Sequence, residues 1–300
     1  MMEFIHAAMN SSLVQNAILA GVLASIACGV VGSYVVVRRI TYLAGGIAHS
    51  VLGGMGVAMY LRSVYGWDWL SPLHGAIVAA LGAALIVGVV TMKYKQREDT
   101  IISAIWATGM AVGVLFMSRT PGYQQDLMSY LFGNILMVAR GHLWLIVALD
   151  AVIVVVSLAL YKHIQAVCFD EEFARTRGVA TGRYYMLLLC LTALTVVLLV
   201  TVVGVVMVIA LLALPAAIAS QFARRLWSIM LLAVAVSMVT TIGGLAISFA
   251  PDLPSGATII VLTAVGYVGA LVYSTWRHRR MLRLRVSRPQ EESPAREAGR

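Results

Sequence analysis

Residues Lys162–Arg183 read KHIQAVCFDEEFARTRGVATGR, the only long polar interval in a chain that is otherwise hydrophobic from about residue 13 to about residue 276. Asp170, Glu171 and Glu172 stand just before Arg175 and Arg177, with Phe169, Phe173 and Ala174 interleaved. The Glu171/Arg175 spacing suits an i,i+4 pair on a short helix, and Gly178 is a natural stop for it. A segment with this charge cannot cross hydrocarbon, so it must lie outside the bilayer, between two membrane-embedded halves. Two readings remain open on the residues alone. It is either a solvated loop or a docking helix for a cytoplasmic partner.

Composition sets the surroundings of that stretch. The chain is 61% hydrophobic and 12% charged, with a mean hydropathy of +0.90. A soluble domain carries far more charge, so the chain reads as an all-α integral membrane protein in contact with the lipid bilayer. No basic n-region precedes a short apolar core and cleavage site, so no removable signal peptide is expected. Cys28, Cys168 and Cys190 are widely spaced and form no CxxC, which argues against a disulfide framework or a zinc–thiolate site. The net charge of +9 points to membrane orientation rather than to nucleic acid.

Apolar runs fall at about 13–37, 46–61, 74–92, 100–118, 142–161, 184–201, 204–222, 226–249 and 256–276. Most match the roughly 20 residues of one helical span. Tyr184–Gln221 is too long for a single crossing, and Gly204 is the expected break. The result is about nine transmembrane helices. With the N-terminus outside and the C-terminus in the cytoplasm, 19 of the 22 basic residues lie on the inner side. Only Arg62, Arg119 and Arg140 fall outside. Lys162–Arg183 is then cytoplasmic. The outer segment Ser118–His142 begins and ends on one side, and its QQDLMSYLFGNILMV is too short to span twice, so a re-entrant half-helix is expected there. Residues 1–276 read as the transmembrane domain, and 277–300 as a basic, disordered cytoplasmic tail beside the anionic inner leaflet.

Two ionisable residues lie well inside spans, His49 and Asp150, and such groups are functional candidates by default. Gly45, His49, Gly53 and Gly56 share one helical face, so His49 points into a packed seam or a pathway rather than at lipid. Neutral imidazole is a common transition-metal ligand, and a structural histidine bonded to a carbonyl is the alternative. Asp150 reads as a pathway residue or, more readily, as a structural partner for another helix. Gln15, Asn16, Thr192, Thr195, Thr240 and Thr241 read as helix-to-helix hydrogen bonds. No GxxxxGK[ST], HExxH or GxSxG occurs, so an ATP-binding P-loop, a metalloprotease and a hydrolase are unsupported, and no catalytic residue is expected.

Five stretches in order resemble the permease subunits of zinc/manganese/iron-type metal ABC importers: Tyr34–Tyr60, Asp126–Leu136 (DLMSYLFGNIL), Phe169–Gly178 (FDEEFARTRG), Leu211–Ser220 (LLALPAAIAS) and Asp252–Leu262 (DLPSGATIIVL). The resemblance spans nearly the whole chain short of its tails. It implies a homodimer in the cell (inner) membrane with a pathway along the dimer axis. A separate cytoplasmic ATP-binding subunit would dock on a coupling helix at Phe169–Gly178. An extracytoplasmic metal-binding protein would deliver a divalent metal ion, which is substrate and not a stably bound cofactor. The family commonly has an Asp four residues before the His of the second span. Here that position is Gly45, so only His49 carries over. A lower-charge site of this kind favours zinc over the harder manganese. A stand-alone secondary transporter or channel is the rival reading, although a proton-coupled transporter should show more acids in its spans than Asp150.

The orientation has a direct test. A cysteine introduced near Trp67 should react with an impermeant thiol reagent in intact cells, or in spheroplasts where an outer membrane intervenes, and one near Thr181 should not. The reverse labelling pattern overturns the topology.

Overall fold

The structure, a computed structural model, describes residues 2–94, 98–121, 133, 135, 140–251 and 253–286. Twelve helices occur among the described residues: α1 (Met2–Asn10), α2 (Ser12–Arg38), α3 (Thr41–Tyr65), α4 (Pro72–Tyr94), α5 (Glu98–Ser118), α6 (Arg140–Ala159), α7 (Tyr161–Phe169), α8 (Glu171–Thr176), α9 (Thr181–Val203), α10 (Val205–Phe222), α11 (Leu226–Phe249) and α12 (Ser255–Val286). Eight of them are long and apolar enough to cross a membrane. The α6–α7 pair, bent by 72°, makes a ninth crossing if it is one broken span. The expected all-α membrane fold is therefore the observed one.

The boundaries differ in instructive ways. The short apolar run at 46–61 belongs to a longer helix, because α3 starts at Thr41 immediately after the break at Arg39. Arg39 takes a left-handed φ of 63° and donates its N–H to the Val35 and Val36 carbonyls, which closes the end of α2. Gly204 does break the long apolar run. Its φ of 82° and ψ of 164° are open to glycine and strained for any other residue, and they separate α9 from α10. The expected re-entrant half-helix in Ser118–His142 lies mostly outside the described residues. Of its core only Gly133 and Ile135 are described, and Gly133 packs against the backbone of Val203 and Gly204. Helix α12 continues to Val286, past the expected start of the tail at 277, and residues 287–300 lie outside the described residues.

Helices α2, α3 and α9 form the interior, and α4, α5, α6, α10, α11 and α12 surround them. In hydrocarbon the apolar side chains gain little by turning inward, so close backbone approach has to hold the bundle. Glycine provides it. A Cβ on Gly53 would lie 2.7 Å from the Gly109 carbonyl oxygen, and one on Gly56 equally close to that of Gly113. On the other flank of α3, Gly54 and Gly75 face each other with no room for a side chain on either. Gly32 does the same for α2, lying directly against the Leu212 carbonyl of α10.

The polar side chains in the interior behave differently from expectation. Thr192, Thr195 and Thr240 donate to carbonyls of their own helices, at Leu188, Leu191 and Ser237, rather than across to neighbours. A threonine hydroxyl reaches a carbonyl one turn back without help from packing, and this satisfies it locally. Gln15 also bonds nearby, to the Met9 carbonyl.

Contacts distinguish the two ends of the bundle. Arg38, Glu171, Tyr184 and Tyr185 gather at one end, where Met92 meets Gly182. Phe4 against Phe249 and Trp67 against Trp69 mark the other. Thr181 itself is buried, so the exposed Ala180 is the better labelling position at the first end.

Replacing Gly54 with Val should force α3 and α4 apart. The cost expected for overpacking a tight contact is about 1–3 kcal/mol or more, read as a lower melting midpoint of the detergent-solubilised protein. Gly82→Ala, at a position with nothing within 4 Å, should leave that midpoint unchanged.

Candidate functional site

Two places on the molecule carry the residues singled out from sequence, and both involve the segment Arg38–His49. The first is the coupling segment. Here α7 and α8 form two short helices where one had been expected. Asp170 separates them and caps α8, its Oδ1 accepting from the Phe173 N–H at 2.9 Å. Glu171 and Glu172 follow in the first turn, where the helix dipole favours acids. Gly178, with a φ of 80°, ends the segment as expected, its N–H donating to the Arg175 carbonyl.

The faces of α8 are distinct. Ala174 is 1% exposed and anchors the helix to the bundle, so it is not available to a partner. Glu171 turns inward as well. It pairs with Arg38 at the end of α2 and not, as its spacing suggested, with Arg175. Arg38 also lies 5.6 Å from the centre of the Tyr185 ring on α9, so α2, α8 and α9 are joined at one residue. What remains on the outer face is apolar and charged with both signs, Glu172 beside Arg175 and Arg177. Phe169 and Phe173 are 58% and 55% exposed, and the Arg177 guanidinium lies over the Phe173 ring at 5.2 Å. Two exposed phenylalanines on so short a helix are unusual for a surface in contact with water.

The second place is His49. It lies eight residues into α3, roughly 12 Å along the helix from its start. The side chain is 8% exposed, and its Nδ1 is buried with no hydrogen-bond partner. The ring instead stacks on Trp106 of α5, with centroids 4.2 Å apart and planes at 15°. A structural histidine bonded to a carbonyl, the bland alternative, is not what Nδ1 shows. Gly45 lies next to this stack, and Gly53 and Gly56 continue the same seam toward α5.

Asp150 is elsewhere. It is 5% exposed on α6, which packs against α2, and its Oδ1 has no hydrogen-bond partner. Among the described residues no group of three or more His, Cys, Asp or Glu could hold a metal ion. An open, mostly apolar cleft of about 540 Å³ between α3, α4 and α5 includes Ser50, His74 and Thr108 in its wall but neither His49 nor Asp150.

Sequence reasoning missed Trp106 and the pairing role of Arg38. Arg38 was counted only as positive charge, and Trp106 was not singled out. Nothing local ties either to its partner.

The arrangement has known counterparts. The chain is 42% identical over 273 residues to an uncharacterized membrane protein of Synechocystis, covering 91% of this chain and 95% of that one. A probable metal transport system membrane protein of Chlamydia muridarum is 42% identical over 251 residues, covering 83% and 85%. A manganese transport system membrane protein of Halalkalibacterium halodurans is 27% identical over 271 residues, covering 90% of each. Among solved structures, PsaBC from Streptococcus pneumoniae in complex with Fab superposes with a TM-score of 0.79 at 27% identity, covering 90% of this chain and 94% of that one. The family described as ABC 3 transport family matches residues 10–274. The chain belongs to the ABC 3 transport family and is a multi-pass membrane permease of the metal ABC transporter type.

Proposed function

We propose that this chain is the membrane-spanning subunit of an ATP-driven importer of divalent metal ions. In this reading residues 1–276 form the translocation domain and 277–300 a cytoplasmic tail, with the N-terminus outside the cell (inner) membrane. A second copy completes the pathway at a two-fold axis. A separate cytoplasmic subunit hydrolyses ATP, and an extracytoplasmic binding protein supplies the metal. The observation that carries the reading is α8. It presents exposed Phe169 and Phe173, with Glu172 beside them, while Glu171 and Ala174 hold it to the bundle. A segment that only joined two spans would have no need of that division between faces.

His49 is the transient ligand of this reading. One imidazole binds a metal weakly, and release is what a pathway requires. Support for a second copy comes from α5, whose most apolar stretch is only 11% buried although it packs closely on α3. Exposed Ala104, Ala107 and Ala111 give that face a small-residue surface suited to another helix. For the metal, two arguments compete. A relative named for manganese transport points one way. A nitrogen donor with Gly45 in place of a carboxylate points to zinc, and uptake with the two ions in competition decides between them.

Phe173→Asp should weaken association with the ATPase subunit by about 2 kcal/mol, roughly thirtyfold, with the chain still folded. Unchanged association and unchanged coupled transport would remove α8 from the docking role. Glu172→Lys is the companion variant, since Glu171→Lys also breaks the pair with Arg38.

His49→Ala should bring metal uptake close to background while assembly stays near normal. His49→Gln keeps the polar shape and hydrogen bonding but is a poor metal ligand. Normal uptake by the Gln variant sinks the ligand assignment.

A further inference from the structure

A histidine that ligates a metal is ordinarily oriented by a hydrogen bond to its other ring nitrogen. His49 lacks that restraint at Nδ1, which is buried without a partner. It has a flat aromatic neighbour instead. Tyr42, Gly45 and His49 fall on one stripe of α3 at spacings of three and four residues. The Trp106 indole lies in the gap that Gly45 leaves, 4.2 Å from the His49 ring and 5.9 Å from the Tyr42 ring between centroids. A Cβ on Gly45 would sit 3.2 Å from Cζ3 of that indole and 3.4 Å from Cδ1 of Ile209, so a longer side chain there must displace one of them. The Tyr42 hydroxyl and Ser103 Oγ are hydrogen-bonded at 2.7 Å, which ties α3 to α5 about one turn from Trp106.

We propose that Trp106 is the positioning residue for the His49 ligand, and that Gly45 is glycine because the indole occupies its side-chain space. The assignment rests on the metal-ligand reading of His49. The chemistry suits it. The ligating lone pair of an imidazole lies in the plane of its ring, whereas the indole covers a face. Stacking therefore restrains the ring while leaving its donor free for the metal. Gly45 leaves the indole its place beside the imidazole, so in this chain the ligand is oriented by a ring.

The test uses the complete transporter, with its ATPase subunit and binding protein, in proteoliposomes. The reading is Zn²⁺ taken up per ATP hydrolysed, normalised to assembled complex. A general structural defect lowers uptake and hydrolysis together, whereas a misoriented ligand lowers the ratio. Trp106→Phe, which keeps a flat ring, should retain most of the wild-type ratio. Trp106→Leu, which fills space without a face, should lower it roughly tenfold, and Gly45→Val should do the same by evicting the indole. A wild-type ratio in Trp106→Leu overturns the proposal, as does a Phe variant that falls as far as the Leu variant. If the ratio drops in His49→Gln but not in Trp106→Leu, only the positioning role is lost. If His49→Gln keeps the wild-type ratio, the ligand reading itself fails.

Discussion

Helices in hydrocarbon gain almost nothing by hiding leucine from lipid, so this bundle depends on backbones that touch. Helix α3 is the clearest case. Gly53 and Gly56 close it on α5, and Gly54 closes it on α4 against Gly75. With both flanks held at backbone distance, the most apolar stretch of α3 is 83% buried in a chain with no large soluble core. The same closeness forces His49 and Trp106 face to face, since α5 cannot lie further away. The packing device and the candidate ligand are parts of one seam.

At the other end of the Arg38–His49 segment, the constraint is electrostatic. The Arg38–Glu171 pair is partly exposed, so its contribution to stability is modest. Its consequence is geometric. Arg38 ends α2, Glu171 begins α8, and the Tyr185 ring on α9 lies beneath the same guanidinium. Arg39 then reverses the chain into α3, which carries His49. The Arg38–Glu171 contact therefore sits at the junction of α2 and α3, a short distance along the chain from the stacked imidazole. Few residues separate that contact from His49.

Asp150 is not part of this line. It lies on α6, which packs against α2, with one carboxylate oxygen unpaired. Burial of a carboxyl without a full set of partners is costly, and nothing in its surroundings connects it with His49.

Much of the architecture was legible from residues alone, because hydropathy and charge act locally. The number of crossings, the short polar helix before Gly178 and the break at Gly204 follow from what water, lipid and a positive φ permit at each position. His49 could likewise be placed in a seam from the glycines around it. What the tertiary structure decided are partners distant in sequence. Glu171 chose Arg38, 133 residues away, over Arg175 one turn along, because α8 lies against the end of α2. Ala174 turned inward for the same reason. Thr192, Thr195 and Thr240, legible as cross-helix donors, turned back onto their own helices, since a carbonyl one turn away costs no precise alignment between neighbours. The 72° bend after Ala159 and the Trp106 stack had no local signal at all. Trp106 meets His49 only because glycines on two helices allow their backbones to close, and that depends on both sequences at once.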